Sequence, residues 1–397
     1  MAKYPPKLEE LKEDMLTRVT SGRHPFEGGL KVEDVRRACD LLKNLDDDHW
    51  VQVWSEIAKP YEEKGQQHEQ SGNAAEAERN YLMAYGYLKL ARWPTHHTPA
   101  KLMAYRSAVD NYLKAAQYFD PPLEKLVIPF AGKEGEGKEI IAYLRKPKGI
   151  ERPPVVIKSG GTDHWKEDRP QFEPLYLERG MAHLGVDMPG SGEAPLKTSD
   201  DAERYYTTII DYIQGRPDLD ASRIGLVGIS AGGYWALKMA YVENERLTAA
   251  VCWGGSAGHH QSLVSSKDFR DAMHAHNLGN THEWIGPAGL FGFTTFEELE
   301  QYRPRYSIVN QGLLDQPSCP MLLVDGKEAK LPIKDYYLLL EHGSPKTVRI
   351  FPGGHMGFSP QTLPTIRDWL AGYLCPGGSP LGKVESKDFD IPANPGH

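Results

Sequence analysis

The sequence predicts an α/β protein: a mostly parallel sheet with helices on both faces, preceded by an all-helical region. Up to residue 122, apolar residues recur at helical spacing. Beyond it, short apolar runs that end in glycine or a turn alternate with helical segments. Strands that alternate with helices need crossover connections, which makes the sheet largely parallel and buries both of its faces. The expected organisation is a helical domain over 1–122, an α/β domain over 123–374, and an irregular tail over 375–397 rich in Pro, Gly and Ser.

In the first region the helices are WVQVWSEIAKPYEEKGQQHEQ, AAEAERNYLMAYGYLKLARW and PAKLMAYRSAVDNYLKAAQYF, punctuated by SGN at 71–73 and by Pro94. The first pair looks like one tetratricopeptide hairpin, but no repeat of about 34 residues follows, so no solenoid is expected. Tyr81, Tyr85, Tyr87 and Trp93 read most simply as core packing, with lining of a substrate pocket as the alternative.

In the second region LVIPF and EIIAYLRKP read as a strand pair. The runs PPVVIKSGG, MAHLGVDMPG, RIGLVGIS, LTAAVCWGG, CPMLLVDG and TVRIFPGG read as further strands. Helices are expected in DRPQFEPLYLERG, SDDAERYYTTIIDYIQG, AGGYWALKMAYV, PIKDYYLLLEHG and LPTIRDWLAGYL. In such sheets ligands and chemistry gather at the carboxyl ends of the strands.

Composition narrows the function. Hydrophobic residues make up 40% and charged residues 25%, enough for a packed core and too apolar for a disordered chain. The formal net charge is -8 with the two signs interspersed, so no nucleic-acid partner is expected. MAKYPPKLEELKEDML lacks the apolar run of a signal peptide, and no stretch approaches the ~18 apolar residues of a membrane span. Cys39, Cys252, Cys319 and Cys375 are scattered without metal spacing, as expected for reduced thiols in a cytoplasm.

The strongest chemical motif is RIGLVGISAGGYWALKMA, a strand, then Gly228-Ile229-Ser230-Ala231-Gly232, then a helix. This is the nucleophile elbow of the α/β-hydrolase fold, in which a sharp turn holds the serine clear of the sheet. The helix N-terminus beneath it offers backbone N–H groups to an oxyanion. Upstream, VVIKSGGTDHWKED follows an earlier strand; it offers the N–H of Thr162 as a second oxyanion donor beside that of Ala231, or is simply a structural turn. Gly161 would let the backbone approach substrate. His355, in FPGGHMGFSP, stands after the last strand and before the final helix, where a catalytic base belongs.

His259 and His260 lie just beyond a strand end and either line the pocket or serve an ordinary loop role. The pairs His96-His97 and His274/His276 have no carboxylate or cysteine at ligand spacing, so no metal is expected.

GVDMPGSGEAP, VGISAGG, KSGGTDHWKED and LARWP together resemble the α/β-hydrolase group of the fermentation–respiration switch protein, over roughly residues 50 to 373. The likeness extends to its members with a helical N-terminal cap, among them hydrolases of pseudooxynicotines and of fungal heptaketides. It implies a cap that covers the active site, a homodimer, a small-molecule substrate and no cofactor. It implies either hydrolysis of a carbon–carbon bond beside a ketone or carboxylesterase activity. In that group the triad acid sits in a turn read as Gly-x-x-Asp, ahead of a proline and a helix. Here the matching run is Gly326-Lys327-Glu328-Ala329, so the acid position holds Ala329. Asp325 precedes the glycine and is expected to face the strand end; Glu328 reaches the imidazole only if the turn shifts. The triad acid is therefore expected to be missing. With Ser230, His355 and both oxyanion loops intact, the alanine fits a substitution made to trap substrate better than a natural loss. A binding protein that has lost its chemistry is the rival reading, disfavoured because ligand binding needs neither Ser230 nor His355.

If residues 1–122 wall the pocket, a chain starting at Leu123 loses activity on bulky substrates and aggregates through newly exposed apolar surface. A soluble truncation with unchanged kinetics would instead make the helical region a separate module.

Overall fold

The computed structural model describes residues 8–168, 170–269, 286–329, 332–375 and 377. The chain divides into two compact units, Met1–Leu123 with Lys267–Gly286, and Glu124–Ser266 with Pro287–His397. The His274/His276 pair and most of the expected C-terminal tail lie outside the described residues.

The first unit contains helices α1 (Leu8–Thr20), α2 (Val32–Leu41), α3 (Asp47–Gln70), α4 (Ala74–Arg92) and α5 (Pro99–Ala116). Polar side chains start three of them. Asp46, Asn73 and Thr98 accept from the backbone N–H of His49, Glu76 and Lys101, and so satisfy donors that a helix leaves open at its first turn. The SGN break supplies the second of these caps. Tyr81, Tyr85, Tyr87 and Trp93 are all buried. Tyr87 stacks on Trp54, and its hydroxyl shares Asp34 Oδ2 with that of Tyr61 at 2.7 and 2.5 Å. Trp50 Nε1 donates to Leu90 O at 2.7 Å, pinning α3 to α4.

The second unit is built on one eight-stranded sheet, with β1 (Leu123–Pro129), β2 (Glu139–Arg145), β3 (Pro154–Ser159), β4 (Ala182–Val186), β5 (Asp220–Ile229), β6 (Ala249–Trp253), β7 (Met321–Gly326) and β8 (Thr347–Phe351). Their spatial order is β1-β2-β4-β3-β5-β6-β7-β8. β2 runs antiparallel to β4, and the pairs from β4 through β8 are parallel. This is the mostly parallel sheet that the alternating pattern predicts. The period of two along β5 divides the core: Ile224 and Leu226 join one apolar cluster, Val227 and Ile229 the other. The first cluster holds residues of α7 (Arg204–Gln214), α8 (Ala231–Val242) and α12 (Pro332–Glu341); the second holds residues of α6 (Glu173–Leu177) and α13 (Thr362–Leu374). Among the described residues, α9 (His259–Ser262), α10 (Gly286–Leu290) and α11 (Phe296–Tyr306) lie between β6 and β7. None of the three was expected. For α11 the signal was present in TTFEELE, where Thr295 and Glu298 form a capping box. Among the described residues no helix is long and apolar enough to cross a membrane.

The segments HWKED and DMPGSGE meet in the interior. Lys166 is fully buried, and its Nζ lies 2.6 Å from Glu167, 2.9 Å from Asp187 and 2.7 Å from Glu193. The backbone N–H groups of Lys166 and Glu193 donate to the two oxygens of Asp187, both at 2.9 Å. One ammonium therefore ties the loop after β3 to the loop after β4. Removing one partner of a buried ion cluster costs about 3–5 kcal/mol, because the remaining charges stay buried. Lys166→Met should lower unfolding stability by that amount in urea denaturation; a change below about 1 kcal/mol would show that the cluster is not a support.

Candidate active site

Parallel register sets the site. Ile229 pairs with Trp253, and Trp253 with Val324, so Ser230, Gly254 and Asp325 follow at one edge of the sheet. Ser230 lies between β5 and α8 at φ 54° and ψ -120°, in a region L-residues rarely occupy. Such a conformation costs of order 1–3 kcal/mol and persists only where its surroundings impose it. Here the N–H of Ser230 donates to Trp253 O at 2.7 Å, and the N–H of Gly233 donates to Ser230 O at 2.8 Å. The elbow glycines are needed for contact rather than flexibility. A Cβ on Gly228 would lie 2.0 Å from Gly232 O, and one on Gly232 would lie 2.0 Å from Gly160 O.

His355 follows β8, and its Nε2 is 2.9 Å from Ser230 Oγ. Gly254 makes room for the ring, since a Cβ there would lie 2.9 Å from His355 Cε1. The loop is held on both sides of the sheet edge. Trp253 Nε1 donates to Met356 O at 2.7 Å, and Met356 N–H donates to Asp325 Oδ1 at 2.6 Å. Met356 itself sits at φ 72°, a second non-glycine residue at positive φ.

Gly161 brings the loop after β3 alongside the serine; a Cβ on it would lie 3.1 Å from Ser230 Cβ and 3.6 Å from Ala231 N. The loop closes on itself, with Gly161 N–H donating to His164 O at 2.8 Å and Trp165 Nε1 to Thr162 O at 3.1 Å. Ala231 opens α8, so its N–H has no partner within the helix.

The acid position differs from the expectation in one respect. Ala329 is buried, and its N–H closes the turn on Gly326 O at 3.0 Å; Glu328 is exposed, and its N–H donates to Gly353 O. Asp325, however, does not simply face the strand end: its buried Oδ1 lies 4.0 Å from His355 Nδ1. Burial pushes its carboxyl up to about 6. Its signal in the sequence was a lone carboxylate closing the buried run MLLVD.

Three other histidines singled out in the sequence, His259, His260 and His97, have partners in the fold. His259 Nδ1 is 3.1 Å from Ser307 Oγ. His260 Nδ1 is 2.6 Å from the buried Asp335 Oδ1, which also accepts the His260 N–H at 3.0 Å. In the helical unit, His97 Nε2 is 3.0 Å from Asp47, whose other oxygen meets the buried Lys101 ammonium at 2.8 Å.

A hydroxyl within hydrogen-bond reach of an imidazole, at a helix N-terminus, suits nucleophilic attack on a carbonyl carbon. A family model described as esterase FrsA-like matches residues 37–349. The chain is similar to 2,6-dihydropseudooxynicotine hydrolase of Paenarthrobacter nicotinovorans, with 26% identity over 360 residues, 88% of this chain and 90% of that protein. It is similar to esterase FrsA of Citrobacter koseri, with 27% identity over 282 residues, 70% of this chain and 64% of that one. Among solved structures it resembles 2,6-dihydroxy-pseudo-oxynicotine hydrolase, with a TM-score of 0.72 at 24% identity, over 91% of this chain and 98% of the other. It also resembles AbyA5, with a TM-score of 0.67 at 20% identity, over 93% and 99%. The structural likenesses show the α/β-hydrolase fold, and the family match runs through most of the chain: the protein belongs to the FrsA-like esterase family.

Proposed function

We propose that the protein is a serine hydrolase that works through an acyl-enzyme and cleaves the carbon–carbon bond beside a ketone in an aromatic or polyketide-like substrate. The observation that carries this reading is the 2.9 Å approach of His355 Nε2 to Ser230 Oγ at the elbow. Ser230 Oγ attacks the carbonyl carbon while His355 takes its proton. The N–H groups of Thr162 and Ala231 hold the oxyanion, and each such donor is worth about 2.7–4 kcal/mol of barrier. Collapse of the tetrahedral intermediate breaks the bond to the leaving carbon, which departs as an enolate or as an electron-rich ring carbon and takes the proton from His355. Water, deprotonated by His355, then releases the acid and restores Ser230.

Carboxylesterase activity is the second reading, and the similarity to esterase FrsA favours it. The same groups serve either reaction, because only the leaving atom changes from carbon to oxygen. The similarity to 2,6-dihydropseudooxynicotine hydrolase covers more of the chain, 88% against 70%, which ranks carbon–carbon cleavage first. A homodimer acting on a small molecule accompanies this reading through the resemblance to capped members of the group, and a cytoplasmic setting through the scattered cysteines.

Ser230 should be labelled by a fluorophosphonate, and Ser230→Ala should abolish the label; equal labelling of both forms would remove Ser230 from the mechanism.

A panel of aryl ketones and β-diketones beside aryl and acyl esters separates the two readings. Carbon–carbon hydrolysis predicts a kcat/KM for the best ketone at least tenfold above that for any ester, a difference of about 1.4 kcal/mol in barrier. Ester cleavage alone would establish the carboxylesterase reading.

A further inference from the structure

The geometry points to Asp325, at the end of β7, as the positioning carboxylate for His355, in place of an acid at turn position 329. This rests on the proposed roles of Ser230 and His355. Oδ1 accepts the N–H of Gly326 at 2.8 Å and that of Met356 at 2.6 Å, and lies 4.0 Å from His355 Nδ1. Oδ2 is buried and has no hydrogen-bond partner. A buried carboxylate oxygen left unpaired is costly and calls for a reason. The imidazole approaches the same carboxylate at Oδ1, and the unpaired Oδ2 leaves that carboxylate's charge uncompensated beside it. Moving Nδ1 by about 1 Å toward Oδ1 turns the present separation into a hydrogen bond.

The surroundings favour this carboxylate over the turn. Ala329 has none to offer, and Glu328 is exposed while its backbone is bonded to Gly353. After β6, the other edge position, Gly254 and Gly255 carry no side chain. Asp325 is also fixed from two sides. A Cβ on Gly357 would lie 2.7 Å from Asp325 O, so the histidine loop and the end of β7 are in direct contact. By accepting the Met356 N–H, the carboxylate holds the residue next to His355, and by its charge it favours the Nδ1–H tautomer, which leaves Nε2 free to accept the Ser230 proton. With a carboxyl displaced only to about 6, the group is an anion at neutral and higher pH, the state this role requires.

The test is Asp325→Asn, compared with Ala329→Asp, in the full chain. Asparagine keeps an oxygen for the Gly326 and Met356 N–H groups, so the thermal midpoint should move by only a few degrees. Turnover should fall at least a hundredfold with KM within about threefold, as for loss of charge behind a catalytic imidazole. Ala329→Asp should change turnover less than threefold in the parent. Substrate-free proton NMR at pH 7–8 should show a downfield imidazole N–H signal that is absent in both Asp325→Asn and His355→Ala. Near-parental turnover of Asp325→Asn together with a hundredfold gain in Ala329→Asp would overturn the inference and establish that the acid is missing. Absence of the downfield signal from the parent would overturn it as well, even if Asp325→Asn folds poorly. Failure of Ser230 to take a fluorophosphonate would instead strike the hydrolase reading, since the proton signal is read without substrate.

Discussion

The turn at Ser230 is where the sheet's register becomes chemistry. A serine held at φ 54° is unfavourable by itself, and this one is kept there by a hydrogen bond from its N–H to Trp253 O on the neighbouring strand. The bond exists because β5 and β6 run parallel and in register up to Ile229 and Trp253. The same residue, Trp253, uses its indole N–H to hold Met356 beside His355. One strand end therefore supports both members of the Ser230–His355 pair.

Small residues decide how closely these parts approach. Without a Cβ at Gly232 the elbow reaches the loop after β3, and without one at Gly254 the imidazole fits over the end of β6. The loop after β3 is in turn anchored by the buried Lys166, two of whose three carboxylate partners come from the loop after β4. The proposed oxyanion donors thus stand on a support several residues removed from them. Lys166 of KSGGTDHWKED and Asp187 and Glu193 of GVDMPGSGEAP serve this support rather than the reaction itself.

Most of the sheet was legible because each strand is a short apolar run closed by a glycine or a turn. The elbow was legible because strand, GxSxG and helix occur together, and the position of His355 because it lies between the last strand and the last helix. The helices between β6 and β7 were not anticipated, since polar FEELEQYRPRY carries a weak apolar pattern and is marked mainly by its cap. Asp325 is harder to read for a different reason. Position along a turn was taken from the family's spacing, whereas the direction of a side chain at a strand end depends on what packs against it. Here the histidine loop packs directly on β7, and that contact between residues 325 and 356 is not visible in one dimension.

The central claim is that catalysis passes through an acyl group on Ser230. Rapid quenching of the full-length protein during turnover of its best substrate, followed by peptide mass spectrometry, tests this directly. The account predicts a substrate-derived acyl adduct on the peptide containing Ser230, formed before product appears and absent in Ser230→Ala. Turnover at the same rate with no adduct at any time, or with the adduct on another residue, would contradict it.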